Sequence, residues 1–138
     1  MAETPEITVL LADDHEVVRE GLRLALLRSP HIRVVGEAPD GETAVSLAER
    51  RRPDVIVMDL RMPGMDGIET LGRIRKHDPL LPVILLSGHA DVSKAVEAMR
   101  HGAVDYLLKP VPVEKLCERI RSSLERRTIL EEMGPGGQ

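Results

Sequence analysis

Val55-Ile-Val-Met-Asp59 sets four consecutive apolar residues before a carboxylate, with Pro53 upstream and Pro63-Gly64 downstream. A run this short, rich in Val and Ile and bounded by turn residues, reads as a strand buried on both faces. Thr8-Val-Leu-Leu-Ala12 and Val83-Ile-Leu-Leu86 have the same form. All three are expected at the centre of a sheet, with Ile32-Arg-Val-Val-Gly36 and Tyr106-Leu-Leu108 as further strands. Between the runs, apolar residues recur at helical spacing: Val18, Leu22, Ala25 and Leu26; Ala44, Val45 and Ala48; Ile68, Leu71 and Ile74; Val92, Ala95, Val96 and Met99; Val113, Leu116, Cys117, Ile120 and Leu124. Strand and helix alternate five times. That alternation predicts an α/β fold, a doubly wound five-stranded parallel sheet with right-handed crossovers and helices on both faces.

Length and composition agree with one such domain. A chain of 138 residues with 42% apolar and 30% charged residues is neither disordered by composition nor a membrane protein. The net charge of −4 argues against a chain that holds nucleic acid by general electrostatics. Cys117 is the single cysteine, so no intrachain disulfide forms, and the first residues lack the basic and apolar parts of a secretory signal. A cytoplasmic location is expected, with no membrane association. The predicted domain spans 7–127; beyond Arg127 the apolar spacing loses its register, and 128–138 is expected as a C-terminal tail or the start of a linker. With no Phe, no Trp and one Tyr, the core is filled by aliphatic side chains and Met, which makes Tyr106 conspicuous.

In an open parallel sheet, ligands bind beyond the carboxyl ends of the strands. Here those ends are polar: Asp13-Asp14 after the first, Asp59 at the third, Ser87 at the fourth and Lys109-Pro110 at the fifth. Taken singly, each has an ordinary explanation. Asp13 or Asp14 would cap the following helix, Ser87 would sit in a turn before Gly88, and Lys109 would be a surface lysine. Together they bring carboxylates, a hydroxyl and an ammonium to one edge. Carboxylates at 4 Å repel by about 4 kcal/mol at an effective dielectric of 20, so a cation is required among them. Oxygen donors favour a hard ion, and few carboxylates favour Mg²⁺ over Ca²⁺. A dication and a lysine beside a carboxylate form a receptacle for a phosphoryl group, with an aspartyl phosphate as product.

The set Asp13-Asp14-His15, Val57-Met-Asp59-Leu-Arg-Met-Pro-Gly-Met-Asp-Gly67, Leu85-Leu-Ser-Gly88 and Asp105-Tyr-Leu-Leu-Lys-Pro110 resembles the receiver domain of bacterial two-component response regulators, from about Ile7 to Leu124. The resemblance implies a flavodoxin-like strand order, 2-1-3-4-5. It implies that Asp59 is the phosphoacceptor and that Asp13, Asp14, Asp59 and the backbone carbonyl of Arg61 hold Mg²⁺. By the same resemblance, Lys109 pairs with the carboxylate and then the phosphoryl oxygens, Ser87 hydrogen-bonds the phosphoryl group, and Tyr106 turns inward when Ser87 is drawn towards it. Arg61 and His89 occupy positions that in the family modulate phosphate lifetime, and a cis Lys109–Pro110 bond is expected. The implied partners are a sensor histidine kinase or phosphotransfer protein and a downstream output partner or domain. Homodimerisation through the fourth-helix to fifth-helix face is left open.

Other motifs receive plainer assignments. Asp66 is expected to cap the helix from Ile68, Arg50-Arg51-Arg52 to form the solvated end of a helix, and Met58, Met62 and Met65 to pack. His15 receives no role. Two other functions compete with this one: a Mg²⁺-dependent phosphatase with an aspartyl nucleophile, and an interaction module that is never phosphorylated. Such phosphatases commonly carry a second acid two residues after the nucleophile, where this chain has Arg61, and the intact acceptor set argues against an inert module. The expected activity is that of a switch with slow self-catalysed phosphorylation and dephosphorylation rather than of an enzyme.

Overall fold

The computed structural model describes residues 6–88 and 92–133. Five strands alternate with five helices: β1 (Ile7–Ala12), α1 (Glu16–Leu27), β2 (Ile32–Ala38), α2 (Gly41–Arg51), β3 (Val55–Asp59), α3 (Gly67–His77), β4 (Val83–Ser87), α4 (Val92–Arg100), β5 (Asp105–Leu108) and α5 (Val113–Met133). All neighbouring strands are parallel, in the order β2-β1-β3-β4-β5. The three strands expected at the centre, β1, β3 and β4, are there.

The period of two along each strand divides the core into two layers. Leu10, Ile56, Met58, Val83 and Leu85 point to one face, where they meet Ala44 and Leu47 of α2, Leu71 and Ile74 of α3 and Ala98 of α4. Val9, Leu11, Val55, Val57, Ile84 and Leu86 point to the other, against Leu26 of α1 and Leu116, Cys117 and Ile120 of α5. Burial on both faces explains why the central strands are apolar throughout rather than alternating. Met58, Met62 and Met65 all pack inside.

Helix ends follow local chemistry with one departure. Asp40 caps α2 by accepting from Thr43 N–H at 2.7 Å, and Asp66 caps α3 by accepting from Glu69 N–H at 2.9 Å. Arg50 and Arg51 close α2, and Arg52 follows as its left-handed C-cap at φ 47°. Neither Asp13 nor Asp14 caps α1: its N-cap is His15, whose side chain makes no capping bond. Asp13 instead accepts from the backbone N–H of His15 at 2.8 Å, which shapes the loop before the helix.

The loss of apolar register beyond Arg127 marks a loss of burial rather than the end of a helix. α5 carries on to Met133 with Ile129, Leu130 and Met133 exposed. The extension is tied back by Arg127, which pairs with Asp78 at 3.1 Å and with Glu131 at 3.2 Å. Among the described residues, no helix is long and apolar enough to cross a membrane.

Candidate phosphorylation and metal site

Strand register alone gathers the polar exits. Ala12 lies opposite Met58, so Asp13 and Asp59 follow side by side. Asp59 is in register with Leu86 and Ser87 with Leu108, and Lys109 N–H donates to Ser87 O at 2.8 Å. The order reverses between β1 and β3, where crossovers leave in opposite directions and open a crevice. Asp13 and Asp59 stand at that crevice.

Both carboxylates are buried, 2% and 6% exposed, while Asp14 beside them reaches solvent. Lys109 Nζ joins them, 3.2 Å from Asp13 Oδ2 and 3.1 Å from Asp59 Oδ2. The remaining Asp59 oxygen, Oδ1, accepts from Arg61 N–H at 3.3 Å. Burial pushes the Asp59 carboxyl above its ordinary range, against the hydrogen bond and charge of Lys109, and the neighbouring Asp13 charge adds to the rise. For Lys109, burial alone would lower the ammonium; hydrogen bonds and charge from Asp59 and Asp13 outweigh it and raise it. The site is therefore an ion triplet of two acids and one base, short of positive charge.

The donor set fits a divalent cation. Asp13, Asp14, His15 and Asp59 each offer one donor atom, and all these atoms lie within 4.8 Å of one another. Their carboxylates are the hard oxygen donors that Mg²⁺ takes. The structure brings the three acids named from the sequence together and adds His15, which received no role. Its Nδ1 is 3.1 Å from Asp14 Oδ1 and 3.3 Å from Asp13 Oδ1. Direct adjacency to the acidic pair was the available signal. A second neighbour passed over is Arg19, whose guanidinium donates to the backbone carbonyl of Asp13 at 2.5 Å and lies 3.4 Å from Glu37.

Ser87 is buried at the end of β4, its hydroxyl donating to Gly88 O at 3.3 Å. Tyr106 lies in β5, opposite Leu85, and packs on the core layer beneath α2, α3 and α4. Its hydroxyl is buried and has no partner among the described residues. The Lys109–Pro110 peptide is cis, as expected. Arg61 is exposed beside the pocket, and His89 lies outside the described residues.

Residues 9–121 match the family model for the response regulator receiver domain. This chain belongs to the response regulator receiver domain family. As a receiver of two-component signalling, it is a phosphorylatable switch. It is 36% identical over 132 residues to the nitrate/nitrite response regulator protein NarL of Escherichia coli strain K12, covering 96% of this chain and 61% of NarL. It is 42% identical over 125 residues to the transcriptional regulatory protein LiaR of Bacillus subtilis strain 168, covering 91% of this chain and 59% of LiaR. The receiver thus spans about three fifths of the length of these relatives. Among solved structures, the response regulator domain of Thermotoga maritima CheB superposes with a TM-score of 0.81 at 37% identity, covering 87% of this chain and 97% of that one. Receivers of this fold hold Mg²⁺ in an acidic pocket, and the acids of this receiver are placed to do so.

Proposed function

We propose that Asp59 accepts a phosphoryl group from a phosphohistidine on a sensor histidine kinase or phosphotransfer protein. The observation that carries this reading is the convergence of Asp13, Asp59 and Lys109 within about 3 Å contacts at the β1–β3 crevice. Asp59 Oδ attacks phosphorus, the N–P bond of the donor breaks, and the imidazole leaves with the electron pair and takes up a proton. Asp13, Asp14, Asp59 and the Arg61 backbone carbonyl would hold Mg²⁺, which would supply charge neutralisation for the transferring group. Lys109 moves from its carboxylate pairing to the phosphoryl oxygens, and Ser87 donates to another. Hydrolysis reverses the change: water attacks phosphorus, inorganic phosphate departs, and the Asp59 carboxylate returns. Arg61 and His89 are the residues assigned to setting its rate.

Phosphorylation adds about −1.5 to −2 charges, and the Ser87 hydroxyl gains a new acceptor. Movement of Ser87 changes the room available to Tyr106, which shares the face of α4, β5 and α5. That face exposes Val96, Met99 and Leu108, an apolar surface for an output partner, an attached output domain or a second copy. Direct nucleic-acid binding by this chain is not part of the reading, since its charge is net negative. Repeated turnover of an external phosphate ester is disfavoured because Arg61 stands where a second acid would be needed.

Mass spectrometry after incubation with acetyl phosphate tests the assignment. Wild-type protein with Mg²⁺ gains one acid-labile phosphoryl group, chelator prevents it, and Asp59→Asn abolishes it. Unchanged incorporation in Asp59→Asn removes Asp59 from the role.

A further inference from the structure

We propose that Arg19 is a positioning residue for phosphoryl acceptance: by holding the backbone carbonyl of Asp13 it fixes the peptide that carries Asp14, and so aims the exposed member of the acidic pair into the pocket. The inference rests on reading that pocket as the Mg²⁺-assisted phosphoacceptor site and names a residue outside it that shapes it.

The placement of Arg19 is specific. Arg19 and Arg23 are four residues apart on α1 and so share one face of the helix. That face looks to β2, where Glu37 is in register with Leu11 of β1. Glu37 takes Arg19 Nε on Oε1 and Arg23 Nε on Oε2, each at 3.4 Å. Held from that side, the Arg19 guanidinium turns Nη1 to the Asp13 carbonyl at 2.5 Å. Its side chain is 14% exposed, against 38% for Arg23. A guanidinium drawn this far from water is unfavourable unless its donors find partners, and the partner found here is the backbone of a pocket residue.

Asp13 is thereby fixed at every polar atom. Its N–H donates to Ala38 O at 2.9 Å, Oδ1 accepts from His15 N–H at 2.8 Å, and Oδ2 faces Lys109 Nζ at 3.2 Å. Those three contacts hold Asp13 itself. The bond from Arg19 acts one residue further on, because the Asp13 carbonyl and the Asp14 N–H belong to one planar peptide. Turning that plane swings the Asp14 side chain, which is exposed and meets His15 Nδ1 at 3.1 Å rather than packing in the core. Arg19 therefore sets the direction of Asp14 through the backbone.

The sign of the effect separates positioning from charge. As a cation beside an acidic pocket, Arg19 opposes a dication, so removing its charge alone would tighten Mg²⁺ binding. Removing a group that orients a ligand instead weakens binding, typically by about 10–100-fold.

The test is a calorimetric Mg²⁺ titration of the full chain, with acetyl phosphate labelling followed against Mg²⁺ concentration, for wild type, Arg19→Gln, Arg19→Lys and Arg23→Gln. Mg²⁺ affinity should be at least about tenfold weaker in Arg19→Gln, and the Mg²⁺ concentration that half-saturates labelling should rise in step, while the rate at saturating Mg²⁺ falls by less than about threefold. Metal-free Arg19→Gln should show its amide ¹⁵N shift at Asp14. Arg23→Gln removes an equal charge from the same Glu37 but not the bond to Asp13, and should bind Mg²⁺ within about twofold of wild type or tighter. An Arg19→Gln protein that binds Mg²⁺ as tightly as wild type or tighter, or an equal weakening in Arg23→Gln, overturns the inference. Should Arg19→Gln fail to fold, Arg19→Lys decides: it keeps the charge but lacks the fork that spans Glu37 and Asp13, so a weakening of at least about threefold supports the inference and wild-type affinity overturns it. A wild type that binds Mg²⁺ and is not labelled at Asp59 sinks the phosphoacceptor reading alone, whereas labelling of Asp59 with wild-type Mg²⁺ affinity in Arg19→Gln sinks this inference alone.

Discussion

Lys109 Nζ lies 3.1 Å from Asp59 Oδ2, and the same nitrogen reaches Asp13 Oδ2 at 3.2 Å, so one cation serves two buried acids. The arrangement is under-neutralised by construction. Function requires it, because a pocket already balanced by fixed cations would have little attraction for a dication. The cost falls on the unliganded fold.

That cost predicts a stabilising substitution. Burial holds the Asp59 carboxyl above its ordinary value of 3.8, so the folded chain keeps this proton to higher pH than the unfolded chain does. Stability from this group therefore falls as pH rises from about 4 through the raised folded value. Asp59→Asn removes the penalty. Thermal unfolding at pH 7 without Mg²⁺ should show the variant more stable, with a higher Tm. Mg²⁺ should narrow the gap by stabilising the wild type alone. A variant that melts below wild type without metal would contradict it.

Two glycines in α3 should respond in opposite senses to alanine. A Cβ at Gly67 would lie 2.9 Å from the Leu60 Cα and carbonyl oxygen, both backbone atoms of the residue after the acceptor. Gly67 N–H also donates to Leu60 O at 2.8 Å, so the close approach is fixed from both sides. Gly67→Ala should cost about 1–3 kcal/mol and slow acetyl phosphate labelling by displacing the Asp59 loop. At Gly72, in the helix interior, a Cβ meets nothing within 4 Å, and Gly72→Ala should stabilise by about 0.5–1 kcal/mol with labelling unchanged. Denaturant midpoints and labelling rates for the pair separate loop geometry from helix propensity.

The contrast between these glycines shows what sequence could and could not disclose. Apolar runs on β1, β3 and β4 declared central strands because burial on both faces leaves no room for polar residues. The crevice residues were legible because each sits at a strand exit, a position that depends only on topology. His15 was marked only by its adjacency to the acidic pair, and Arg19 by nothing in the pattern, since both act through where a flexible side chain turns, which neither periodicity nor spacing encodes. Likewise apolar spacing does not mark the end of α5, because its last turns are exposed and held by Arg127 to Asp78 and Glu131.

Capping gives a prediction with its own pH signature. Asp40 accepts from Thr43 N–H at 2.7 Å, and the backbone and side-chain hydrogen bonds to Thr43 hold its carboxyl below the ordinary value. A depressed acid contributes stability that is present above the unfolded value and lost as pH falls through the folded one. Asp40→Ala should cost about 1 kcal/mol at pH 7. Measured against pH, the difference from wild type should fade below about pH 4. A difference that stays constant down to pH 2 would assign the loss to something other than the carboxylate.

Tyr106 separates ring from hydroxyl. Its hydroxyl is buried without a partner among the described residues, while its ring packs on the core layer with Leu85 and Ala103. An unpaired buried hydroxyl costs about 1–3 kcal/mol, so Tyr106→Phe should match or exceed the wild-type stability in the unphosphorylated state. Tyr106→Ala discards the ring packing and should be less stable than both. If the ring is what responds to Ser87, Tyr106→Phe should retain the change in partner binding or self-association on adding beryllofluoride and Mg²⁺. Tyr106→Ala should lose that change while still accepting phosphate at Asp59. Binding measured with and without beryllofluoride decides the matter: an alanine variant that responds like wild type would place the switch elsewhere on the α4, β5 and α5 face.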